Sequence, residues 1–423
     1  NHAVWSSATN DCVYYPWRGQ LPYFWIYGDR GDGIFHGVGD NFSNTSTGDW
    51  GSLVVAAGVL KNPHAAWYVR NLSERRSYRD RFWDVLYGDK SVKPLAPDDV
   101  ANPLPLSRHF QHAGVVLMRD RWDDRSTLLH FKCSDFISIN HHHRDENAFT
   151  LSYRGRLAID SGSYQKGSSY GTPHWHNYFT RTIAHNSIVV FDPSQTMTLY
   201  GSDVSNDGGQ LFRQEARALA DLQPGGHASL DGILRFENRD DFTYGWGDAT
   251  KAYDTGRVAL AQREVAYLRE ISRAHPVVVV FDRVTSTDAS LSKRFVLHTV
   301  EQPTVQGSLM VAAHDTGRLT SATVYPTGAQ LSLFGGAGAE YRVDGVNYPL
   351  EAGGDTRAAN AGIYPGSWRL EVTPGQAATE DYFLHVLFVD DVGAPAVSSS
   401  DALLVADADA IGVVVADWTV VFP

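Results

Sequence analysis

The chain has 423 residues and a formal net charge of −12. That length suits two domains with sizeable cores, so no disulfide staples are needed. The acidic balance argues against nucleic acid as a partner, and a polyanionic ligand would need a local basic cleft. Cys12 and Cys133 are the two cysteines. They form no metal pattern, and spacing does not decide whether they pair. Trp and Tyr are abundant, which suits a sugar-binding cleft and ordinary packing alike. No apolar run is long enough to span a membrane, and no signal peptide is legible. The start at Asn1-His2, without Met, reads as a processed or trimmed form.

In chain order, residues 1–49 are aromatic, Gly-rich and irregular, with turns from Gly31-Asp32-Gly33 to Gly39-Asp40. Leu53, Val54, Ala56, Ala57 and Leu60 then recur as a helix that stops near Asn62-Pro63. A second helix starts after Pro63, carrying Ala65, Ala66, Tyr68 and Val69. A third covers Ser73 to Tyr87, with Phe82, Trp83, Val85 and Leu86 as its apolar face. Lys93 to Pro105 holds four prolines and reads as a linker. Beyond it the period switches to two. Gly114–Arg119, Thr127–Phe131, Ile188–Phe191, Val277–Phe281, Phe295–His298, Tyr382–Phe388 and Ile411–Val415 all read as strands. The expected fold is α+β and mostly β: a helical part over 1–105 and a large antiparallel β-sandwich over 106–423.

The chemistry concentrates in three short stretches. The first is His141-His142-His143-Arg144-Asp145. The second is Ala148 to Gly162, which reads as a hairpin with Arg154-Gly155 in its turn and Asp160 at its end. The third is Arg181-Thr182-Ile183-Ala184-His185-Asn186-Ser187, leading into a strand. On a strand His141 and His143 share a face while His142 points away, to the surface or to a supporting place. Two imidazoles on one face with a carboxylate from a neighbouring strand suit a divalent metal such as zinc. His185 is either a third nitrogen ligand or an acid/base group, and spacing leaves this open. A His-x-His pair in a β protein is more often a hydrogen-bonded or exposed pair than a ligand.

The ordered set His141-x-His143-x-Asp145-x-x-x-Phe149, Ile159-Asp160-Ser161-Gly162-x-Tyr164 and Thr182-x-Ala184-His185-Asn186-Ser187-x-Val189-Val190 resembles the C-terminal sheet domain of the heparinase II/III-like polysaccharide lyases. The match is close over about fifty residues and looser over the sandwich and the helices before it. The resemblance implies the C-terminal part of an (α/α) toroid followed by the sandwich. It implies His141 as the catalytic or carboxylate-neutralising residue, and His143, Asp160 and His185 as ligands of a divalent metal, zinc first. That metal would fix the loops and orient His141 rather than perform the chemistry. The implied reaction is β-elimination on an acidic polysaccharide, a glycosaminoglycan such as heparan sulfate or chondroitin ahead of alginate. The implied location is secreted or periplasmic, with no nucleic-acid or membrane partner. A non-catalytic, metal-stabilised carbohydrate-binding sandwich is the second reading, and a metal-dependent hydrolase the third.

One departure stands out. The family carries a long toroid with an Asn or His and a catalytic Tyr, but only about a hundred residues precede the sheet here. The Tyr then lies on a segment or second chain outside this sequence, or is one of Tyr14, Tyr15, Tyr23 or Tyr27. Tyr170, in a Gly/Ser-rich loop with His174-Trp175-His176, is placed to line a cleft and bind substrate. Arg181, with Asn177-Tyr178, either contacts a sugar carboxylate or sulfate or anchors its loop in an ion pair. Trp246 is a sugar platform or, preferably, packs a turn. His298, His314 and His385 read as ordinary sheet histidines.

Overall fold

The computed structural model describes residues 19–31, 35, 39–40, 50–75, 81–137, 141–163, 171–199, 201–212, 214–350, 366, 368–407 and 409–423. The chain divides into two compact units. One comprises Asn1–His36, Asn44–Leu106 and Arg121–Ser126; the other comprises Gly37–Ser43, Ser107–Asp120 and Thr127–Pro423.

The first unit is helical: α1 Leu21–Gly28, α2 Trp50–Gly58, α3 Pro63–Arg75 and α4 Arg81–Tyr87. Ile26, Trp50, Leu53, Val54, Tyr68 and Leu72 form its core. At Gly58 a Cβ would meet Tyr87 O at 1.7 Å, so the close approach of α2 to the end of α4 requires glycine there. Two expectations change. The third helix begins at Arg81, not Ser73, and α3 runs on to Arg75. The supposed apolar face of α4 is turned outward, with Phe82 61%, Val85 83% and Leu86 43% exposed, while Trp83 packs inward. The proline-rich stretch is no free linker. Leu95 N donates to Pro63 O at 3.0 Å, His64 Nδ1 lies 3.0 Å from Leu95 O, and Tyr27 Oη donates to Pro105 O at 2.7 Å. These bonds lay the stretch along the helices.

The second unit is built of antiparallel sheets. A five-stranded sheet runs in sequence order: β1 Ser107–Phe110, β2 Val115–Arg119, β3 Leu128–Lys132, β4 Ala148–Ser152 and β5 Arg156–Ala158. The β4–β5 hairpin turns at Arg154, whose φ is 47°, and at Gly155, where a Cβ would strike His314 O at 2.2 Å. The strand β6 (Ile188–Phe191) edges a four-stranded sheet beside Ser292–Thr299. An eight-stranded sheet carries Val277–Ser286 near its middle, between Val258–Leu268 and Glu380–Asp391.

That central strand shows why the architecture is layered. Val278, Val280 and Val284 enter one core, with Phe131, Phe149 and Phe295. Val277, Val279 and Phe281 enter another, with Val413, Val415 and Phe422 of a C-terminal three-stranded sheet. A strand apolar on both pleats must be covered on both faces.

The three sheet histidines are buried, as expected of packing residues. His385 stacks on Phe295 with ring centroids 3.8 Å apart. Burial pushes its pKa down to about 3, and burial likewise holds His298 well below the usual value. A histidine with a depressed folded pKa leaves protons to the unfolded chain. Its contribution is therefore complete above about pH 6.5 and is lost as pH falls toward the folded value. For His385 this amounts to ~1.4 kcal/mol per pH unit in that window. Melting curves between pH 7 and 4 should show Tm falling, with a shallower slope in His385→Phe.

Candidate functional site

The site is assembled on the loop between β3 and β4 and on the turns that follow β5 and precede β6. Backbone hydrogen bonds hold these together. Ser161 N donates to Ala184 O at 2.8 Å, and Arg144 N donates to Thr180 O at 3.0 Å. The Asn186 amide is the main tie. Its Nδ2 donates to Phe149 O at 2.7 Å and Ile159 O at 3.1 Å, while its Oδ1 accepts from His298 N at 2.7 Å. Three strands are thereby fixed around the neighbouring His185. Gln210 does the same for Glu146, accepting from its N at 3.0 Å and donating to its O at 2.8 Å.

The histidine run lies on this loop, not on a strand. Left-handed backbone at His141 (φ 57°) and Asn147 (φ 59°) interrupts extension. The side chains nonetheless separate as alternation anticipates. His141 and His143 both reach one carboxylate, Asp40: His141 Nδ1 to Oδ2 at 2.8 Å and His143 Nε2 to Oδ1 at 2.9 Å. The Asp40 side chain is 3% exposed and His141 is 52% exposed. Burial would raise the Asp40 pKa, but the two histidines outweigh it and hold the carboxyl below its usual range. His142 turns the other way, to Glu146 Oε1 at 2.9 Å and Lys132 Nζ at 3.3 Å.

Behind His143 the chain of contacts continues. His143 Nδ1 lies 3.2 Å from His185 Nε2, and His185 Nδ1 lies 3.0 Å from Asp160 Oδ1. His143, Asp160 and His185 are therefore brought into one line. The ligand atoms that converge within 4.8 Å of one another, however, belong to Asp145, Asp160 and His185. His143 stands behind His185, both its nitrogens engaged. His185 is fully buried, and among the described residues its Nδ1 has no hydrogen-bond partner despite the nearby Asp160. A buried nitrogen so placed, with two carboxylates, fits a divalent cation. Burial opposes charge on His185, but Asp160 and Asp145 raise its pKa on balance. A cation and a proton would therefore compete for Nδ1. Lys132 is the resident positive charge, ion-paired with Asp145 and 3.6 Å from Glu146 Oε1. The cavity bounded by Asp40, the three histidines, Trp175 and Phe212 measures about 10 Å³, room for about one water.

The remaining expected site residues fare differently. Arg181 is fully buried and ion-paired with Asp207 at 2.6 Å; it also donates to Ser205 O at 3.0 Å. It anchors the loop, as the second of its two readings held, and does not reach a sugar. Tyr170 lies outside the described residues, as do Tyr14, Tyr15, Tyr164 and Cys12. Tyr27 is buried, with its hydroxyl on Pro105 O, and Tyr23 is half-buried in the helical core. Cys133 is a buried free thiol. Trp246 lies within the strand Phe242–Asp248, not in a turn. It lines a groove of about 430 Å³ with Tyr244, Trp418, Arg235 and Glu237. Asp40 went unrecognised in the sequence, since only its place in a turn was legible.

Comparison with known proteins places this geometry in context. The family model described as "Heparinase II/III-like, C-terminal" matches residues 102–367. No curated protein matches the chain. Among solved structures, the heparan sulfate lyase HepC from Pedobacter heparinus is similar with a TM-score of 0.59 at 13% identity, over 94% of this chain and 51% of that one. A crystal structure of heparinase III is similar with a TM-score of 0.57 at 12% identity, over 98% and 55%. The chain thus spans about half the length of these structures, and at such identity the likeness is one of fold. With more than half of its length matched by the family model, the chain belongs to the heparinase II/III-like C-terminal domain family.

Proposed function

We propose that the protein is a polysaccharide lyase that cleaves a uronic-acid-containing polysaccharide by β-elimination, a glycosaminoglycan ahead of alginate. The observation that carries this reading is a half-exposed imidazole, His141, pinned by a buried carboxylate at the edge of a buried His/Asp cluster. The C5 proton of a uronate is far too weakly acidic to leave unaided. Its removal needs a base, a group that neutralises the sugar carboxylate, and an acid for the glycosidic oxygen. His141 supplies one of the first two. The acid, a Tyr in this reading, belongs to a segment outside the described residues. The exposed stripe of Phe82, Val85 and Leu86 on α4 supports reading the helical unit as the end of an (α/α) toroid, since further helices would cover it. A secreted or periplasmic location suits a polymer substrate, and no described helix is long and apolar enough to cross a membrane.

The test is incubation of the full-length protein with heparan sulfate, chondroitin, hyaluronan and alginate, following ultraviolet absorbance of the unsaturated product. No product from any of the four, with zinc supplied, rejects the lyase reading. A second reading, a non-catalytic carbohydrate-binding domain, is favoured by the aromatic groove around Trp246. It expects polysaccharide binding without turnover.

A divalent cation, zinc first, would be held by His143, Asp160 and His185, with Asp145 close to the last two. When bound, it would supply positive charge that fixes these turns together. Metal content after dialysis against zinc should be near one per chain, with a rise in Tm that chelation reverses. Asp160→Asn and His185→Gln should abolish both; zinc retained by both variants would exclude this ligand set.

A further inference from the structure

We propose that the groove around Trp246 is a binding site for uncharged sugar rings, separate from the histidine cluster. The inference deepens the carbohydrate-binding reading by giving the groove a ligand class, and it does not depend on the lyase reading. The floor of the groove is one face of the strand Phe242–Asp248. Phe242, Tyr244 and Trp246 alternate there with Thr243, Gly245 and Gly247, so the three rings share a face, and each is half-buried. The opposite face meets the five-stranded sheet and its loop. A Cβ at Gly245 would lie 3.3 Å from the Phe131 ring, and one at Gly247 2.3 Å from Asn147 Oδ1. The groove therefore opens on the side of this strand away from the loop that carries the histidines. Farther along the same sheet this pleat is covered: Val277, Val279 and Phe281 pack against Val413, Val415 and Phe422. The strand Trp418–Phe422 of that cover forms the other wall of the groove.

Size and charge identify the occupant. About 430 Å³ lies within the ~300–1,000 Å³ of small-molecule sites. Fifteen residues line it, fewer than the roughly 20–30 a side of a stable protein interface. The charged side chains of the lining are two arginines and two glutamates, so they leave no net charge. They are also paired. Arg235 Nη2 donates to Glu237 Oε2 at 2.9 Å, Arg283 Nη2 donates to Glu264 Oε1 at 3.1 Å, and Tyr244 Oη donates to Glu264 Oε2. Arg239, outside the lining, is held on Glu237 as well. A sulfated or carboxylated ring would have to break these pairs or face the glutamates. An uncharged ring gains instead. Its C–H face can lie on an aromatic ring, and its hydroxyls can add to the carboxylate lone pairs and guanidinium N–H groups that the pairs leave over. Trp246 is the platform. Arg235 already lies over Tyr244, its Cζ 5.7 Å from the ring centroid, and Phe242 meets Trp418 edge-on at 5.9 Å, whereas no described ring or cation lies over Trp246. The cross-strand neighbours of Trp246 are Arg235 and Glu264, which put a donor on one side of it and an acceptor on the other.

The experiment is titration of the full-length protein with cellotetraose, chitotetraose and sulfated cellotetraose, followed by tryptophan fluorescence and calorimetry. At least one of the two uncharged sugars is expected to bind and shift the emission. Trp246→Ala should weaken that binding roughly tenfold or more, and Arg235→Gln, at the exposed rim, roughly threefold. Sulfated cellotetraose should bind at least roughly tenfold more weakly than its parent sugar. His141→Ala should bind as the wild type does. No binding of either uncharged sugar overturns the proposal, as does unchanged binding in a folded Trp246→Ala protein. Should that variant fail to fold, unchanged binding in both Arg235→Gln and Trp246→Phe overturns it instead. Equal or tighter binding of the sulfated sugar overturns the ligand class, and loss of binding in His141→Ala overturns the separation of the two sites. A dimer in sedimentation that Trp246→Ala dissolves gives the groove to a second copy of the chain and overturns the sugar. Binding as expected without turnover on any uronate polymer rejects the lyase reading and leaves this site standing.

Discussion

Arg263→Met is expected to lower the unfolding free energy by about 3–5 kcal/mol, because it strands a charge and two carbonyls at once. Arg263 is fully buried. Its Nε and Nη2 donate to Asp282 at 2.7 and 3.0 Å, and its Nη1 donates to Asn147 O and to Asn186 O, the latter at 2.6 Å. Burial already raises the Asp282 pKa against the pull of this arginine. Without it the carboxyl would have to protonate or bring water into the core. The two carbonyls follow Glu146 and precede Ser187, so the substitution also loosens the turns that carry Asp145 and His185. Urea denaturation measures the loss. Arg263→Lys should recover only part, since an ammonium cannot reproduce the planar fork. The double variant Arg263→Met/Asp282→Leu should be more stable than Arg263→Met alone. If it is equally unstable, the stranded charge is not the cause.

His141→Ala should reduce lyase turnover by roughly 10²–10⁴-fold, the range for loss of a positioned general base, while Tm and zinc content stay close to the parent. The physical reason is the division of labour around Asp40. His141 is half-exposed and its removal opens no core cavity, whereas His143, on the same carboxylate, is 1% exposed and contacts Phe179 edge-on at 4.7 Å. His143→Ala should therefore destabilise the fold as well as impair turnover. Initial rates and melting curves on both variants separate the effects. Full turnover in His141→Ala would remove it from the chemistry.

Legibility followed sequence distance and the burial of charge. The hairpin from Ala148, the strand β6 and the valine-rich strand from Val277 were readable because period-two alternation and turn residues are local signals. So were Asp160 and His185, which sit at strand ends within a motif. Asp40 was not, since it is 101 residues from His141 and has only turn residues around it. Arg181 had two readings because composition cannot distinguish an arginine facing a sugar from one buried on Asp207. The face of α4 was misjudged for a related reason: Phe82, Val85 and Leu86 mark an apolar stripe, but a stripe does not say what covers it. Whether the histidine run lies on a strand or beside one is not legible, because alternation in three residues cannot reveal left-handed backbone.

The division of the chain bears on how such a protein could arise. Gly37–Ser43 belongs to the β unit although its flanks belong to the helical one, and Arg121–Ser126 makes the converse excursion. Shuffling that joined a new partner at the helix-to-sheet border near residue 106 would transmit every sheet and every ligand-bearing turn. It would leave Asp40 behind. A descendant inheriting only the residues beyond that border would keep the sheets and the His/Asp cluster yet lose the carboxylate that His141 and His143 share. Descent of the site as a working whole therefore requires both sides of the border to pass together, and substitutions in 37–43 to be constrained jointly with those in 141–143.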